Sequence, residues 1–296
     1  MPDLDALRQQ IDEIDDQLHD LIRSRTRIVE QVREAKLEVD ADARYMRPAR
    51  EADIIRRLAE RHDGRFPLNA LTRIWREMIS ALTLMQGPLS VAVYAPGNQT
   101  GLWDVARDHY GVEVPLQPVD SAMAVLRALT DGSVQVGVLP WPELEEPKPW
   151  WPSLMAEDNQ TFNVVGVLPF HGAGNARSAS RSGMVIADMA PEATGDDRTL
   201  LALRFNGGVS RDRLTSVLAE VGLEATSFLG NKLVVKDQDI RWQLVEVAGF
   251  LTDGDERLSS LVGKFDDLCD GVDIIGAYAT PMVMPEHGEN PVAATG

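Results

Sequence analysis

Three cations stand at informative positions on a long apolar stretch near the N-terminus. Apolar residues recur at steps of three and four from Leu4 to Ala35, which is the period of a helix that packs along its length against other helices. Arg25 lies on this apolar seam, and Arg8 and Lys36 lie on the stripe beside it. Such cations either reach solvent and pair with a carboxylate or bind an anionic ligand, and the residue types alone leave both interpretations open.

The distance between the outer two cations favours a site shared by two chains. Arg8 and Lys36 are 28 positions apart, about 42 Å along a helix, so they cannot contact one small ligand from the same helix. A second copy running antiparallel about a two-fold axis near Ile22 would bring one chain's Arg8 beside the other chain's Lys36. The spacing therefore predicts a homodimer with two equivalent anion sites, which Arg25 could join.

Two shorter helices are predicted to follow, from Pro48 to Arg61 and from Leu68 to Gln86. Proline is tolerated in the first turn of the former, and a Gly-Pro pair ends the latter. Arg50 and Glu51 lie in the first turn of the second helix, and Gln86 is the last residue of the third. One long and two shorter helices make a poor globule alone but a helical bundle when dimerised.

These residues carry a resemblance to a known family. The strings ALRQQIDEID, YMRPAREADII and WREMISALTLMQ resemble the all-α (AroQ-type) chorismate mutases over residues 1–87. The resemblance implies a three-helix domain that forms an intertwined dimer and converts chorismate to prephenate. This is an isomerase reaction, a Claisen rearrangement within one molecule that requires no metal and no organic cofactor.

The same resemblance implies a role for each polar residue. The two carboxylates of chorismate would be held by Arg25, Arg50 and Lys36, together with Arg8 of the partner chain. Lys36 and Gln86 would hydrogen-bond the ether oxygen, and Glu51 would accept a hydrogen bond from the ring hydroxyl. The expected catalytic residues are thus Lys36, Gln86, Arg25 and Glu51.

Two positions depart from the family's best-known pattern. Arg47 stands where an acidic residue is common, and Leu82 stands where a serine is common. The expected effect of both is on affinity and fine geometry.

Residues 88–190 resemble the first lobe of a prephenate dehydratase, a partial periplasmic-binding-like α/β lobe. The strings SVAVYAPGNQTGLWDVARDHYG and VQVGVLPWPE carry the likeness. The second lobe is too short, and the family's catalytic Thr-Arg-Phe is missing, with Ser180-Arg181-Ser182 the nearest match. We therefore predict that dehydratase activity is absent.

Residues 196–282 show a βαββαβ order, which is ferredoxin-like. TLLALRF, RWQLVEVAGFL and DIIGAYATP resemble the ACT domain through which phenylalanine gives feedback in such enzymes. The amino-acid-binding signatures are poor, because Leu229-Gly230-Asn231-Lys232 stands where Glu-Ser-Arg-Pro is expected. A structural or dimerising module is favoured, an amino-acid effector stays open, and residues 283–296 are expected to be a disordered tail.

Composition limits the other function classes. The net charge of −17 argues against nucleic acid. No apolar run approaches a membrane span of about 20 residues, and the N-terminus lacks the basic and apolar pattern of a secretory signal, so the cytoplasm is expected. With a single cysteine, no intramolecular disulfide forms, and no Cys/His cluster has metal-ligand spacing.

Three hypotheses follow from the sequence. The leading one is a monofunctional chorismate mutase of phenylalanine and tyrosine biosynthesis. The second is a bifunctional chorismate mutase/prephenate dehydratase that is regulated by phenylalanine. The third is a regulatory module of the shikimate pathway with little turnover of its own.

Overall fold

A computed structural model describes residues 3–39, 44–98, 100–144, 146–155, 162–172, 182–235 and 240–283. Three helices come first: α1 (Leu4–Val39), α2 (Pro48–Arg61) and α3 (Leu68–Gln86). The predicted bounds of the second and third helices are confirmed. Pro48 occupies the first turn of α2, where its missing N–H costs no hydrogen bond, and Gly87-Pro88 follows the last turn of α3.

The longest helix, α1, contributes nothing to the buried core. Its 36 residues extend for about 54 Å, and none of them is buried. The side chains of the predicted apolar seam are between 40 and 66% exposed: Leu4, Leu7, Ile11, Ile14, Leu18, Leu21, Ile28 and Val32. An exposed apolar stripe of this length marks an interaction surface.

The described residues after α3 form one nine-stranded sheet with four more α-helices. The strands are β1 (Val91–Tyr94), β2 (Leu116–Val119), β3 (Val136–Pro140), β4 (Phe162–Leu168), β5 (Gly183–Asp188), β6 (Asp197–Asn206), β7 (Ala225–Val235), β8 (Ile240–Ala248) and β9 (Cys269–Ala279). The helices are α4 (Gly101–Tyr110), α5 (Ala122–Thr130), α6 (Arg211–Glu220) and α7 (Glu256–Gly263). The strand order is β2-β1-β3-β5-β4-β9-β6-β8-β7.

The first half of this sheet is the predicted α/β lobe. Strands β1, β2 and β3 are parallel, and β5 and β4 continue the sheet in antiparallel pairs. The sequence pattern missed β2, because Pro118 interrupts it. A proline is acceptable there since β2 is an edge strand.

The second half has the predicted ferredoxin-like order. Strands β9, β6, β8 and β7 are neighbours and pair antiparallel. Two details differ from the prediction. The two strands expected between 225 and 236 form one bulged strand, β7. The helix expected from Glu256 to Cys269 ends at Gly263, and a short 3-10 turn follows at Asp266–Leu268, where Asp266 has a positive φ of 49°.

The two halves share the sheet instead of forming separate layers. They meet where Val164 of β4 pairs with Gly276 of β9. Gly276 has a φ of +156°, and a Cβ there would overlap the Val164 carbonyl oxygen. A glycine is therefore needed for the two backbones to approach each other.

The Pro/Trp-rich segment before β4 is part of the core. The side chains of Trp150 and Trp151 are almost fully buried, and they belong to one cluster with residues of both halves, including Ile186, Leu200 and Leu244. The sequence suggested only a link here. The aromatic side chains instead cover the sheet across the junction of its two halves.

One arginine and a small apolar cluster attach α2 to the α/β body. Ala52 and Ile55 of α2 pack with Phe170. Arg56 donates to the hydroxyl of Thr194 at 2.8 Å and to the carbonyls of Asp196 and Thr280 at 2.7 and 3.0 Å. These contacts fix the helical part relative to the α/β body.

Some features of the sequence pattern fall outside the described chain. Ser180 and Arg181 lie outside the described residues, as does the tail from 284 onward. Among the described helices, none combines the length and the apolar character that a bilayer crossing requires.

Candidate functional site

Arg25 is a half-buried cation on α1 that pairs with no anion among the described residues. Its Nη1 atom is buried and has no hydrogen-bond partner among the described residues. Burial lowers the pKa of Arg25 from its ordinary value. A guanidinium held in this way has an unused donor, which suits a carboxylate ligand.

Lys36 lies at the end of α1 among groups of the α1–α2 connection. Its Nζ atom donates to the carbonyl of Arg44 at 3.0 Å and lies 5.3 Å from the ring centroid of Tyr45. Burial and the neighbouring Arg47 lower the pKa of Lys36, and Glu192 opposes that change. The ammonium keeps donors that a ligand oxygen can use.

Arg25 and Lys36 share one face of α1. They are 11 residues apart, which is three turns and about 16 Å along the axis. Arg8 lies about 42 Å from Lys36 along the helix, where it is exposed and pairs with Asp5 at 3.0 Å. One protomer therefore groups two of the three cations and leaves the third far away.

Gln86 brings the end of α3 to the end of α1. Its main-chain carbonyl accepts from Arg33 Nε at 2.8 Å, and its side-chain Nε2 donates to the Leu82 carbonyl at 3.0 Å. The next residue, Gly87, packs so closely on Tyr45 that a Cβ would lie 2.6 Å from the ring. The end of α3 therefore lies beside the residues that surround Lys36.

Arg50 and Glu51 occupy neighbouring positions on α2 but differ in environment. Arg50 is exposed. Glu51 accepts from Arg76 Nη1 at 2.9 Å, and the two side chains are 14 and 3% exposed. The carboxylate predicted to bind the substrate hydroxyl thus already has a buried cation as partner.

Four residues of this region were not singled out from the sequence as site residues. Arg33 contacts Gln86, and Tyr45 contacts Lys36. Arg76 contacts Glu51. Glu192, from the β5–β6 connection, makes a two-pronged ion pair with Arg47 at 3.1–3.2 Å. The unusual Arg47 was a signal that an acid lies nearby, but its partner is 145 positions away and no local pattern identifies it.

A buried polar cluster lies behind the Glu51–Arg76 pair. It contains His109 and His171. Burial, together with the nearby Arg76, lowers the pKa of His171 to about 4 and holds the pKa of His109 well below its ordinary value. Both imidazoles are therefore neutral in the folded protein at neutral pH.

This cluster predicts a loss of stability on acidification. Between about pH 6.5 and pH 4 the unfolded chain binds protons at these histidines and the folded chain does not, so the free energy of unfolding falls as pH falls. Urea unfolding at pH 7 and pH 5 measures this change. In His171→Gln the free energy of unfolding should change less between pH 7 and pH 5 than in the wild type. An equal change in variant and wild type would contradict the prediction.

In the part of the chain that is described, no group of three or more His, Cys, Asp or Glu side chains is arranged to hold a metal ion. The donors around Arg25, Lys36 and Gln86 are instead cationic and amide groups. Such a set can bind carboxylates and can stabilise negative charge on an oxygen.

The helical part of the chain matches a known family. Residues 7–87 match the family model described as chorismate mutase type II. A bifunctional chorismate mutase/prephenate dehydratase of Stutzerimonas stutzeri is 31% identical over 140 residues, which are 46% of this chain and 38% of that protein. The Pseudomonas aeruginosa protein of the same description is 30% identical with the same coverage. The matched region is thus well under half the length of these relatives.

The likeness to solved structures is more distant. A prephenate dehydratase from Streptococcus mutans has 16% identity and a TM-score of 0.47, covering 67% of this chain and 100% of that one. A prephenate dehydratase from Arthrobacter aurescens in complex with L-Phe has 11% identity and a TM-score of 0.45, covering 69 and 95%.

Proposed function

We propose that this chain, whose residues 7–87 form a domain of the chorismate mutase type II family, catalyses the rearrangement of chorismate to prephenate as a homodimer. The observation that carries the proposal is the combination on α1 of an exposed apolar stripe with Arg25, a half-buried cation without a partner among the described residues. A second helix would cover the apolar stripe, and an anionic ligand would pair with the cation.

The dimer supplies the cation that one protomer lacks. An antiparallel α1 from a second copy would cover the apolar stripe and bring Arg8 of the partner subunit beside Lys36. Each of the two sites would then contain Arg25, Lys36 and Gln86 from one chain and an arginine from the other. This arrangement is a self-complementary two-fold interface, the commonest type among homo-oligomers.

The reaction requires that the substrate be held in position and that developing negative charge be stabilised, and the proposed site has groups for both. The substrate is a dicarboxylate, so arginine side chains can hold it bidentately with its enolpyruvyl arm over the ring. As the ether C–O bond breaks, negative charge develops on its oxygen. Fixed donors from Lys36 and the Gln86 amide stabilise that charge more in the transition state than in the substrate. No covalent intermediate and no proton transfer are required.

Two side chains must change partners or share them when substrate binds. The Gln86 amide donates to a helix carbonyl, and its second N–H can reach a ligand. Glu51 uses one oxygen for Arg76, so its other oxygen is the one for the ring hydroxyl. Arg50 is exposed and can turn toward a ligand carboxylate without leaving a buried position.

We expect the α/β body to lack dehydratase activity. In the described sheet only β5 and β4 lie between the parallel strands β1–β3 and the ferredoxin-like half, whereas the resemblance requires a cleft between two lobes. The names of the relatives favour the bifunctional alternative, so both chorismate and prephenate should be assayed. Formation of phenylpyruvate from prephenate by the purified chain would establish that alternative, and binding of chorismate without turnover would favour the regulatory module.

A mixing experiment tests the shared site directly. Arg8→Ala and Lys36→Ala chains are each expected to be nearly inactive. Mixed under conditions of subunit exchange, they should regain activity, because a heterodimer has one site with both lesions and one site with neither. Arg23→Ala, whose side chain is exposed and pairs locally with Asp20, is the matched control for Arg8→Ala and should stay active.

Recovery in this mixture would be measured as chorismate consumption, with exchange verified by differently tagged chains. Proven exchange with no recovery would contradict the shared site. A monomeric protein at assay concentration with full activity would contradict the dimer.

A further inference from the structure

The connection between β5 and β6 reaches the start of α2, which carries Arg50 and Glu51. Glu192, in this connection, accepts from Arg47 Nε at 3.2 Å and from Arg47 Nη2 at 3.1 Å. Arg47 immediately precedes the first turn of α2, and its carbonyl accepts a helical hydrogen bond from the N–H of Glu51 at 3.0 Å. Because a bidentate pair fixes direction as well as distance, the α/β body holds the first turn of α2 in place.

The backbone that carries Glu192 is itself fixed on both sides. After Glu192, the carboxylate of Asp197, which is 4% exposed, accepts from the main-chain N–H and from the hydroxyl of Thr194 at 2.9 and 2.7 Å. Before Glu192, the side chain of Asn163 in β4 donates to the carbonyl of Met189 at 3.0 Å. The carboxylate of Glu192 therefore extends from a short segment that is held at both ends.

The same ion pair acts on the ammonium of Lys36. Burial lowers the pKa of Lys36, the charge of Arg47 lowers it further, and the charge of Glu192 raises it. While the two side chains are paired, their charges oppose each other at Lys36. Without the carboxylate, the guanidinium would act as an unpaired like charge and would favour loss of the ammonium proton.

Lys36 also faces ionisable groups of the other elements around it. The Tyr45 ring lies 5.3 Å from its Nζ atom. Arg44 accepts from the Nζ through its main-chain carbonyl and pairs its own guanidinium with a carboxylate of β5. Arg33, about one turn earlier on α1, donates to the end of α3, and Arg8 of the partner subunit would add a cation in the proposed dimer. Because most of these groups are cations, the loss of one nearby carboxylate would leave the ammonium among like charges.

We propose that Glu192 is a positioning residue of the mutase site, which holds the first turn of α2 through Arg47 and prevents Arg47 from acting as an unpaired cation beside Lys36. Through this contact the α/β body contributes to the site on the helices. The effect on turnover rests on the proposed function, whereas the effect on Lys36 is a property of the folded chain that can be measured without turnover.

Two variants of the full chain and one control test the proposal. Glu192→Gln removes the charge and keeps the side-chain length, and Arg47→Gln/Glu192→Gln removes both charges. Since both partners are about half exposed, these variants should unfold at nearly the same denaturant concentration as the wild type. Glu220→Gln removes the carboxylate of an ion pair with Lys264 in the ferredoxin-like half, and it should leave both readouts below unchanged.

The charge state of Lys36 is the first readout. The chain has five lysines, and lysine labelled with ¹³C at the ε position gives each of them an NMR signal that follows its titration. The Lys36 signal is the one missing from Lys36→Ala. In Glu192→Gln the midpoint of its titration should move to lower pH by at least about 0.5, because the carboxylate that favours the ammonium is gone.

The double variant separates the two charges. Its Lys36 midpoint should return close to that of the wild type, because the opposing charge of Arg47 is gone as well. An unmoved midpoint in Glu192→Gln would overturn the proposal, whether or not the chain converts chorismate.

Chorismate turnover as a function of pH is the second readout. The alkaline limb of kcat/KM reports ionisations of the free enzyme, so in Glu192→Gln it should move to lower pH together with the Lys36 titration. At neutral pH, kcat/KM of this variant should fall by about threefold or more, because the first turn of α2 holds Arg50 and Glu51 less firmly. The double variant should recover the alkaline limb but not the rate at neutral pH.

The outcomes distinguish this proposal from the proposed function. An active wild type whose pH profile overlaps that of Glu192→Gln would overturn the positioning role. A wild type without turnover would refute the proposed function, and the Lys36 titration would then decide whether Glu192 acts on Lys36.

Discussion

Replacing Lys36 by alanine is expected to lower kcat/KM for chorismate by about 100-fold or more. In the proposed site the ammonium would stabilise negative charge on the breaking ether oxygen, and the loss of one such preorganised donor typically costs about 3 kcal/mol. The KM should change less than kcat, because this interaction strengthens in the transition state. Steady-state kinetics on the purified variant measure both constants.

The matched control is Lys264→Ala. Like Lys36, Lys264 lies at the end of a helix. It is half exposed, pairs with Glu220 at 2.9 Å and belongs to the ferredoxin-like half, away from the proposed site. Its removal should leave kcat/KM within about twofold of wild type, as for most surface changes. Equal rates for Lys36→Ala and wild type would refute the role given to Lys36.

Arg76→Met is expected to destabilise the protein by about 3–5 kcal/mol, the usual cost of removing one partner of a buried ion pair. Arg76 is 2% exposed, and without it the largely buried carboxylate of Glu51 would lose its cationic partner. Because methionine keeps most of the side-chain volume, the loss of stability would come from the missing charge and not from a cavity. Chemical denaturation followed by circular dichroism measures the difference.

Two further variants make this result specific. Arg73→Met, three residues earlier on α3, removes a half-exposed ion pair with Asp108 and should cost at most about 1 kcal/mol. The double variant Arg76→Met/Glu51→Gln should regain part of the stability, because the uncompensated charge is gone. If Arg76→Met and Arg73→Met cost the same, the buried pair is not what holds α2 on α3.

Local sequence signals were sufficient for the helical part. Pro48 marks the start of α2, and a Gly-Pro pair marks the end of α3, because proline restricts backbone conformation independently of tertiary contacts. The apolar period of α1 likewise predicts its length. Nothing in the described chain covers that face, so the same pattern that predicted the helix also predicted that a partner is needed.

The arrangement of the sheet could not be predicted in the same way. Pairing of β4 with β9 depends on residues more than 100 positions apart, and no local pattern encodes it. The burial of Trp150 and Trp151 has the same cause. Prolines and tryptophans in a short segment suggested a link, and only the sheet beneath them makes their burial favourable.

The sequence was sufficient to predict which residues belong to the candidate site, but it did not predict which residues they contact. The positions of Arg25 and Lys36 on one helix face follow from their spacing alone. The pairs Arg47–Glu192 and Glu51–Arg76 join different elements, and their partners emerge only from the fold. The roles toward a substrate stay predictions for all six residues: Arg8, Arg25, Lys36, Arg50, Glu51 and Gln86.

The two buried tryptophans have a consequence for how the α/β body unfolds. Since Trp150 and Trp151 lie in one cluster with side chains from both halves of the sheet, neither half can lose its packing without exposing indole surface that the other half also covers. Melting of the lobe and of the ferredoxin-like half is therefore expected as one cooperative event. Intrinsic fluorescence should follow it as a single red shift of the emission maximum.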